Sequence, residues 1–160
     1  MALYRSALPE VYGFVLARCG SRELAEDLTA DAFLSAVTAI RSGAVDAITT
    51  GWLVVVAQRR LVDHWRRLEV EQRRLQLVPG AGDDVDDSWA EDLDLGIART
   101  ALAGLLPQHR AVLTLKYIDG LSVAEVARLM GRSVAATEGL LQRARTGLRR
   151  AYEEMQAHDL

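Results

Sequence analysis

The sequence predicts an all-helical protein made of two small helical domains joined by a flexible acidic linker. Three observations point that way. Apolar residues recur every three or four positions along most of the chain, the spacing that gives a helix one buried face. Strand signals are nearly missing, because the one β-branched run, Leu53 to Val56, lies inside a longer helical pattern and only three prolines interrupt 160 residues. From Pro79 to Asp94 the periodicity stops and acids accumulate, so this stretch lacks the apolar surface that would offset the entropy of ordering it. The break predicts a first domain over residues 1–70, a linker over 71–94 and a second domain over 95–160. With half of its residues hydrophobic, the chain can bury one moderate core or two small ones.

The first helix is expected over Leu3 to Arg18, with Leu8, Val11, Tyr12, Val15 and Leu16 on one face and Gly20 as its stop. Ser21 can cap a second helix, whose inward stripe runs through Leu24, Leu28, Ala32, Phe33 and Val37. Its other face carries Glu23, Asp27 and Asp31, a pattern that on residues alone most often means a solvated surface. Gly43, Thr49, Thr50 and Gly51 mark a loop between Arg41 and Gly51. A third helix comes next, turning Trp52, Leu53, Val56 and Leu61 inward and gathering Gln58, Arg59, Arg60, His64, Trp65, Arg66 and Arg67 over its second half. Cations interleaved with an aromatic suit a nucleic-acid backbone with stacking on a base. Complementing the helix dipole accounts well for Arg66 and Arg67, but less well for Arg59 and Arg60.

Beyond the linker a helix is expected to begin near Asp92 and to include Leu95, Ala98, Leu102 and Leu105. Pro107 then opens another, with Ala111, Val112, Leu115 and Tyr117 inward, and Asp119-Gly120 forms the turn that ends it.

The stretch from Leu121 to Arg150 reads as a helix-turn-helix. Ser122 with Glu125 three residues on is a capping box, Gly131 can close the first helix in the left-handed conformation, and Ser133 can cap the second. In the second helix Val134, Thr137, Leu141, Ala144 and Leu148 form an inward stripe, which leaves Ala135, Ala136, Gly139, Gln142, Arg143, Thr146 and Arg150 on the opposite face. Small residues at its start permit close approach to a surface, and the arginines and glutamine supply donors for phosphates and base edges. A helix lying in a DNA major groove needs both. A helical hairpin with merely solvated arginines is the plainer alternative.

Net charge is -3, which alone argues against a nucleic-acid binder. The excess acid, however, is concentrated in the central span, where Asp83, Asp84, Asp86, Asp87, Glu91, Asp92 and Asp94 cluster. A basic face elsewhere can still bind phosphate. The single cysteine, Cys19, has no partner for an internal disulfide and reads as a small buried residue. His64, His109 and His158 are too scattered for a metal site, and no cofactor is implied. No Ser/His/Asp constellation or phosphate-cradling glycine loop supports an enzyme, and Asp63 and His64, being adjacent on a helix, point to different faces. No signal-like leader or membrane-length apolar run is present, so a cytoplasmic location is expected.

Three segments in this order, Ala25 to Phe33 (AEDLTADAF), Trp52 to Arg67 (WLVVVAQRRLVDHWRR) and Leu106 to Arg150, resemble the extracytoplasmic-function (group IV) sigma factors of the sigma-70 family. The resemblance covers nearly the whole chain. It implies a sigma region 2 bundle and a sigma region 4 helix-turn-helix, with core RNA polymerase and promoter DNA as partners. By resemblance, Asp27, Asp31 and Phe33 would dock on the clamp helices of the largest polymerase subunit. Arg59, Arg60, His64, Trp65, Arg66 and Arg67 would recognise the minus-ten element and capture an unstacked base, with Asp63 structural. Arg132, Ser133, Ala135, Ala136, Gly139, Gln142 and Arg143 would read the minus-thirty-five duplex. The linker would run through basic channels of the enzyme, and an anti-sigma factor would be the negative regulator.

The chain departs from the family pattern at several places. Ala30 stands where a glutamine is usual, which removes one polar contact to the clamp, and Gln58-Arg59 stands where arginine-asparagine is common, which leaves the minus-ten base preference open. Glu138, Leu140 and Gln142 replace residues that are commonly basic, basic and histidine. Fewer cations there imply weak minus-thirty-five binding with a shallow salt dependence.

Overall fold

In the computed structural model, residues 2–75 and 94–158 are described, and every regular element among them is helical. The expected linker lies outside the described residues apart from Asp94 and the end of the third helix. By its internal packing the chain divides into two compact units, Met1–His64 and Trp65–Leu160.

The first unit contains α1 (Ala2–Cys19), α2 (Arg22–Arg41) and the first half of α3 (Thr50–Leu75). Ser21 caps α2 as expected, its hydroxyl accepting from the Leu24 amide at 3.3 Å. The core takes Ala7, Val11, Val15 and Cys19 from α1, Ala25, Leu28, Ala32 and Ala36 from α2, and Leu53, Ala57 and Leu61 from α3. Alanines dominate the inward stripe of α2 because small side chains let packed helices approach closely. That choice rotates the stripe away from the expected one, so Val37 is 46% exposed instead of buried.

The second unit contains the end of α3 with α4 (Leu95–Ala103), α5 (Pro107–Leu113), α6 (Val123–Met130) and α7 (Val134–His158). The start of α4 is fixed twice: the Asp94 carboxylate accepts from the Gly96 and Ile97 amides, and the Asp94 amide donates to the Tyr152 hydroxyl at 2.9 Å. Pro107 occupies the first turn of α5, where its missing N–H is no loss. Helix α5 then runs into a π-helical turn, Thr114–Ile118, closed by the Asp119 amide on the Thr114 carbonyl. The wider turn changes the angular position of each residue within it, so Tyr117, expected inward, is exposed, and its hydroxyl accepts from Arg145 at 3.1 Å.

Helix α7 packs against α4, α5 and α6 together. Three neighbours bury a broader arc than one stripe, which explains why Leu140, at 2% exposed, and Thr146 are both buried and neither faces solvent. Val134, as the first residue of the helix, projects beyond those neighbours and is exposed.

Candidate nucleic-acid interface

The helix-turn-helix is built as its local chemistry dictates. The Ser122 hydroxyl accepts from the Glu125 amide while the Glu125 carboxylate accepts from the Ser122 amide, closing the capping box at both ends. Gly131 adopts φ +65°, a conformation that costs a side-chain-bearing residue about 1–2 kcal/mol. Ser133 then caps α7, its hydroxyl accepting from Ala136 at 3.1 Å. Ala135 and Ala136 are exposed, and Gly139, Gln142 and Arg143 are half-exposed beyond them. The Arg143 guanidinium lies across Gly139, where a Cβ would come within 3.6 Å of it. This gives α7 a flat N-terminal surface leading to hydrogen-bond donors.

Arg132 behaves differently. It is half-buried in the turn, and its guanidinium forms an ion pair with Glu69 near the end of α3. His109 on α5 is half-buried in the same neighbourhood. Burial holds its pKa below the ordinary 6.5, the nearby Arg143 and Arg132 add to that effect, and Glu69 opposes it.

The basic half of α3 does not present its residues as one surface. Arg59, Arg66 and Arg67 are exposed, and His64 is half-buried. Arg60 is exposed but donates to the Ser35 hydroxyl of α2 at 3.0 Å, beside Asp31. Trp65, expected to stack on a base, is 3% exposed, with the Arg110 guanidinium 5.9 Å from its ring centroid. In this conformation the indole is a core residue of the second unit.

On α2, Asp27 and Asp31 are exposed, as expected, and Phe33 is half-buried with its ring edge-on to Tyr4 at 5.1 Å. Beside them lies a feature that the periodicity did not suggest. Leu34 and Ile40 are 64% and 53% exposed, and with Val37 they rim an apolar groove of about 1010 Å³ between α1 and α2. Leu8 and Tyr12 of α1 line it, together with Ala30. The signal was available: α2 carries more large apolar residues than one buried stripe can use. Glu69, Arg110 and His109 were also missed, because only tertiary contact distinguishes them from surface charges.

Among the described residues no cluster of His, Cys, Asp and Glu could hold a metal ion, and no helix is long and apolar enough to cross a membrane.

Residues 3–70 match sigma-70 region 2, and residues 95–148 match sigma-70 region 4. The chain is 30% identical over 150 residues to the extracytoplasmic-function RNA polymerase sigma factor SigC of Mycobacterium tuberculosis, covering 92% of this chain and 80% of that protein. It is 34% identical over 147 residues to BldN of Streptomyces coelicolor, covering 89% of this chain but only 56% of the relative's length. SigM of Bacillus subtilis is 28% identical over 152 residues, with 94% and 93% covered. The fold is similar to that of the Bartonella quintana sigma factor RpoE, solved in complex with the anti-sigma factor NepR, at a TM-score of 0.55 and 21% identity over 94% of both chains. With both sigma regions matched in order and a relative such as SigC aligned over most of its length, the chain belongs to the sigma-70 family as an extracytoplasmic-function sigma factor.

Proposed function

We propose that this chain joins core RNA polymerase through α2, contacts promoter DNA through α3 and α7, and supports promoter opening without catalysing a reaction itself. One observation supports the docking assignment above the others. Exposed Asp27 and Asp31 share their helix with exposed Leu34, Val37 and Ile40. A merely solvated acidic face has no use for that much apolar surface, whereas a protein interface combines both. Asp27 and Asp31 supply charge complementarity, while Phe33 supports the groove wall.

For DNA, the reading divides the work by chemistry. Ala135, Ala136 and Gly139 let α7 approach a duplex, Gln142 and Arg143 offer donors to base edges, and Arg132 and Ser133 lie at the turn near the phosphates. Arg59, Arg66 and Arg67 are the available cations for the minus-ten strand, with His64 beside them. Trp65 joins that set only after a rearrangement that uncovers its ring. Leu140, being core, is not a lost DNA contact. The cellular site of action is the cytoplasm, and an anti-sigma protein is the proposed negative regulator.

The test is reconstitution. The purified chain added to core RNA polymerase yields specific transcripts from a cognate promoter, mapped by their start sites. If the chain fails to bind core enzyme yet retains sequence-specific duplex binding, it is a stand-alone helix-turn-helix regulator and the proposal falls.

A further inference from the structure

Glu69 is a buried carboxylate on the basic end of α3, and among the described residues it pairs with two arginines. Arg73, one helical turn on, lies 2.9 Å away and is largely exposed. The other, Arg132, belongs to the turn before α7, and its side chain is only 18% exposed against 7% for Glu69. Arg73 would suffice for a helix-surface pair; Arg132 adds a contact across 63 residues of sequence. The surroundings are closed in the same way. The Arg66 guanidinium lies over the turn, where a Cβ on Gly131 would come within 2.9 Å of it, and the Trp65 ring is covered one turn earlier in α3.

We infer that Glu69 is a built-in competitor for nucleic-acid phosphate: it holds Arg132 in the closed turn and keeps Trp65 covered, and the pair opens before either residue meets DNA. The inference rests on the assignment of Arg132 to duplex contact made under Proposed function. Its chemistry is simple substitution. A carboxylate and a phosphate oxygen accept the same charge-assisted hydrogen bond from a guanidinium, so they are alternatives for one donor. Apparent DNA affinity is then the intrinsic affinity scaled by the fraction of molecules in which the pair is open. Glu69→Gln keeps the side-chain shape and removes the charge that favours closure.

The test uses the full chain and two readouts. The first is fluorescence anisotropy with a labelled mixed-sequence DNA duplex over a range of salt concentrations. The second is acrylamide quenching of Trp65 in a Trp52→Phe/Trp89→Phe background. Glu69→Gln is expected to bind the duplex about fivefold more tightly as the open fraction rises. Its salt slope is expected to steepen by about one, for one added phosphate contact. Quenching of Trp65 is expected to increase. Unchanged affinity, slope and quenching would overturn the inference. Loss of duplex binding by both proteins would instead remove the assignment of Arg132, and the inference with it, a result distinct from equal binding. If Glu69→Gln does not fold, Glu69→Asp withdraws the carboxylate by one methylene and should shift both readouts in the same direction. An aspartate variant identical to the parent in both would also overturn the idea.

Discussion

The exposed faces of α2 and α7 differ in kind. On α2, carboxylates lie beside large aliphatic side chains that the fold leaves uncovered. On α7, the exposed start is Val134, Ala135, Ala136 and Glu138, with a half-exposed glycine, glutamine and arginine on the same side. The first combination suits another protein, which can bury apolar area and pair the acids. The second suits a grooved polyanion, which demands close approach and donors. On the proposed reading one small chain carries two recognition chemistries, and each can be altered without touching the other.

The largest expected effect breaks the α2 side. Asp27→Lys combined with Asp31→Lys is expected to weaken binding to core RNA polymerase about a hundredfold, or about 2.7 kcal/mol, by placing like charges in the docked face. Both residues are exposed, so urea unfolding should move by no more than about 0.5 kcal/mol. Affinity measured with labelled core enzyme checks the first number. Unaltered core binding would leave α2 a solvated face after all.

On the α7 side, Arg143→Ala is expected to weaken duplex binding by about 1 to 3 kcal/mol if its guanidinium reads a base. Competition with variant duplexes sharpens the comparison. A loss confined to one sequence makes Arg143 a base reader, and an equal loss on all sequences makes it a phosphate contact. Core-polymerase affinity should not change in either case.

The turn between α6 and α7 offers a smaller effect on stability. Gly131→Ala forces a Cβ into the left-handed region and against Arg66, for a loss of about 1–2 kcal/mol in denaturant unfolding. Gly13, whose added Cβ would meet nothing within 4 Å and whose φ is negative, is the control, and there alanine should be neutral or stabilising.

These contrasts show what could be read from residues alone. The helix-turn-helix was legible because its determinants are local: a serine three residues before a glutamate, a glycine at a helix end, a serine opening the next helix. The choice of buried arc was less legible. Leu140 and Thr146 sit where they do because three helices pack around α7, and Val37 because alanines take the buried arc of α2, and a single-helix period encodes neither. Tyr117 was misplaced by a π-turn, whose wider spacing breaks the helical count. Trp65 is the instructive case for function. Its place among arginines suggested a base-stacking aromatic, and that chemistry holds in isolation. Tertiary packing instead gives the ring an apolar environment and an arginine neighbour. Glu69 was invisible for the converse reason, since a lone acid in a basic run resembles an ordinary surface pair until its partner across the fold is known.

The smallest effect concerns pH, and it bears on the unit that holds α7. His109 is half-buried near Arg143, Arg132 and Glu69, and burial together with Arg143 lowers its pKa below 6.5. The unfolded chain therefore binds a proton there more readily than the folded one. Stability contributed by this residue is fully present above the ordinary value and is lost as pH falls through 6.5 toward the lower folded value, below which its contribution stops changing. Urea midpoints measured between about pH 7.5 and 5.5 are expected to fall on acidification, and His109→Gln, which cannot titrate, should flatten that decline. An unaltered slope in the variant would assign the pH dependence to other groups. The same acidification adds a cation beside Arg132 and Arg143 without placing one on α2, which carries no histidine. The pH profile of duplex binding should therefore change between parent and His109→Gln, while that of core binding should not.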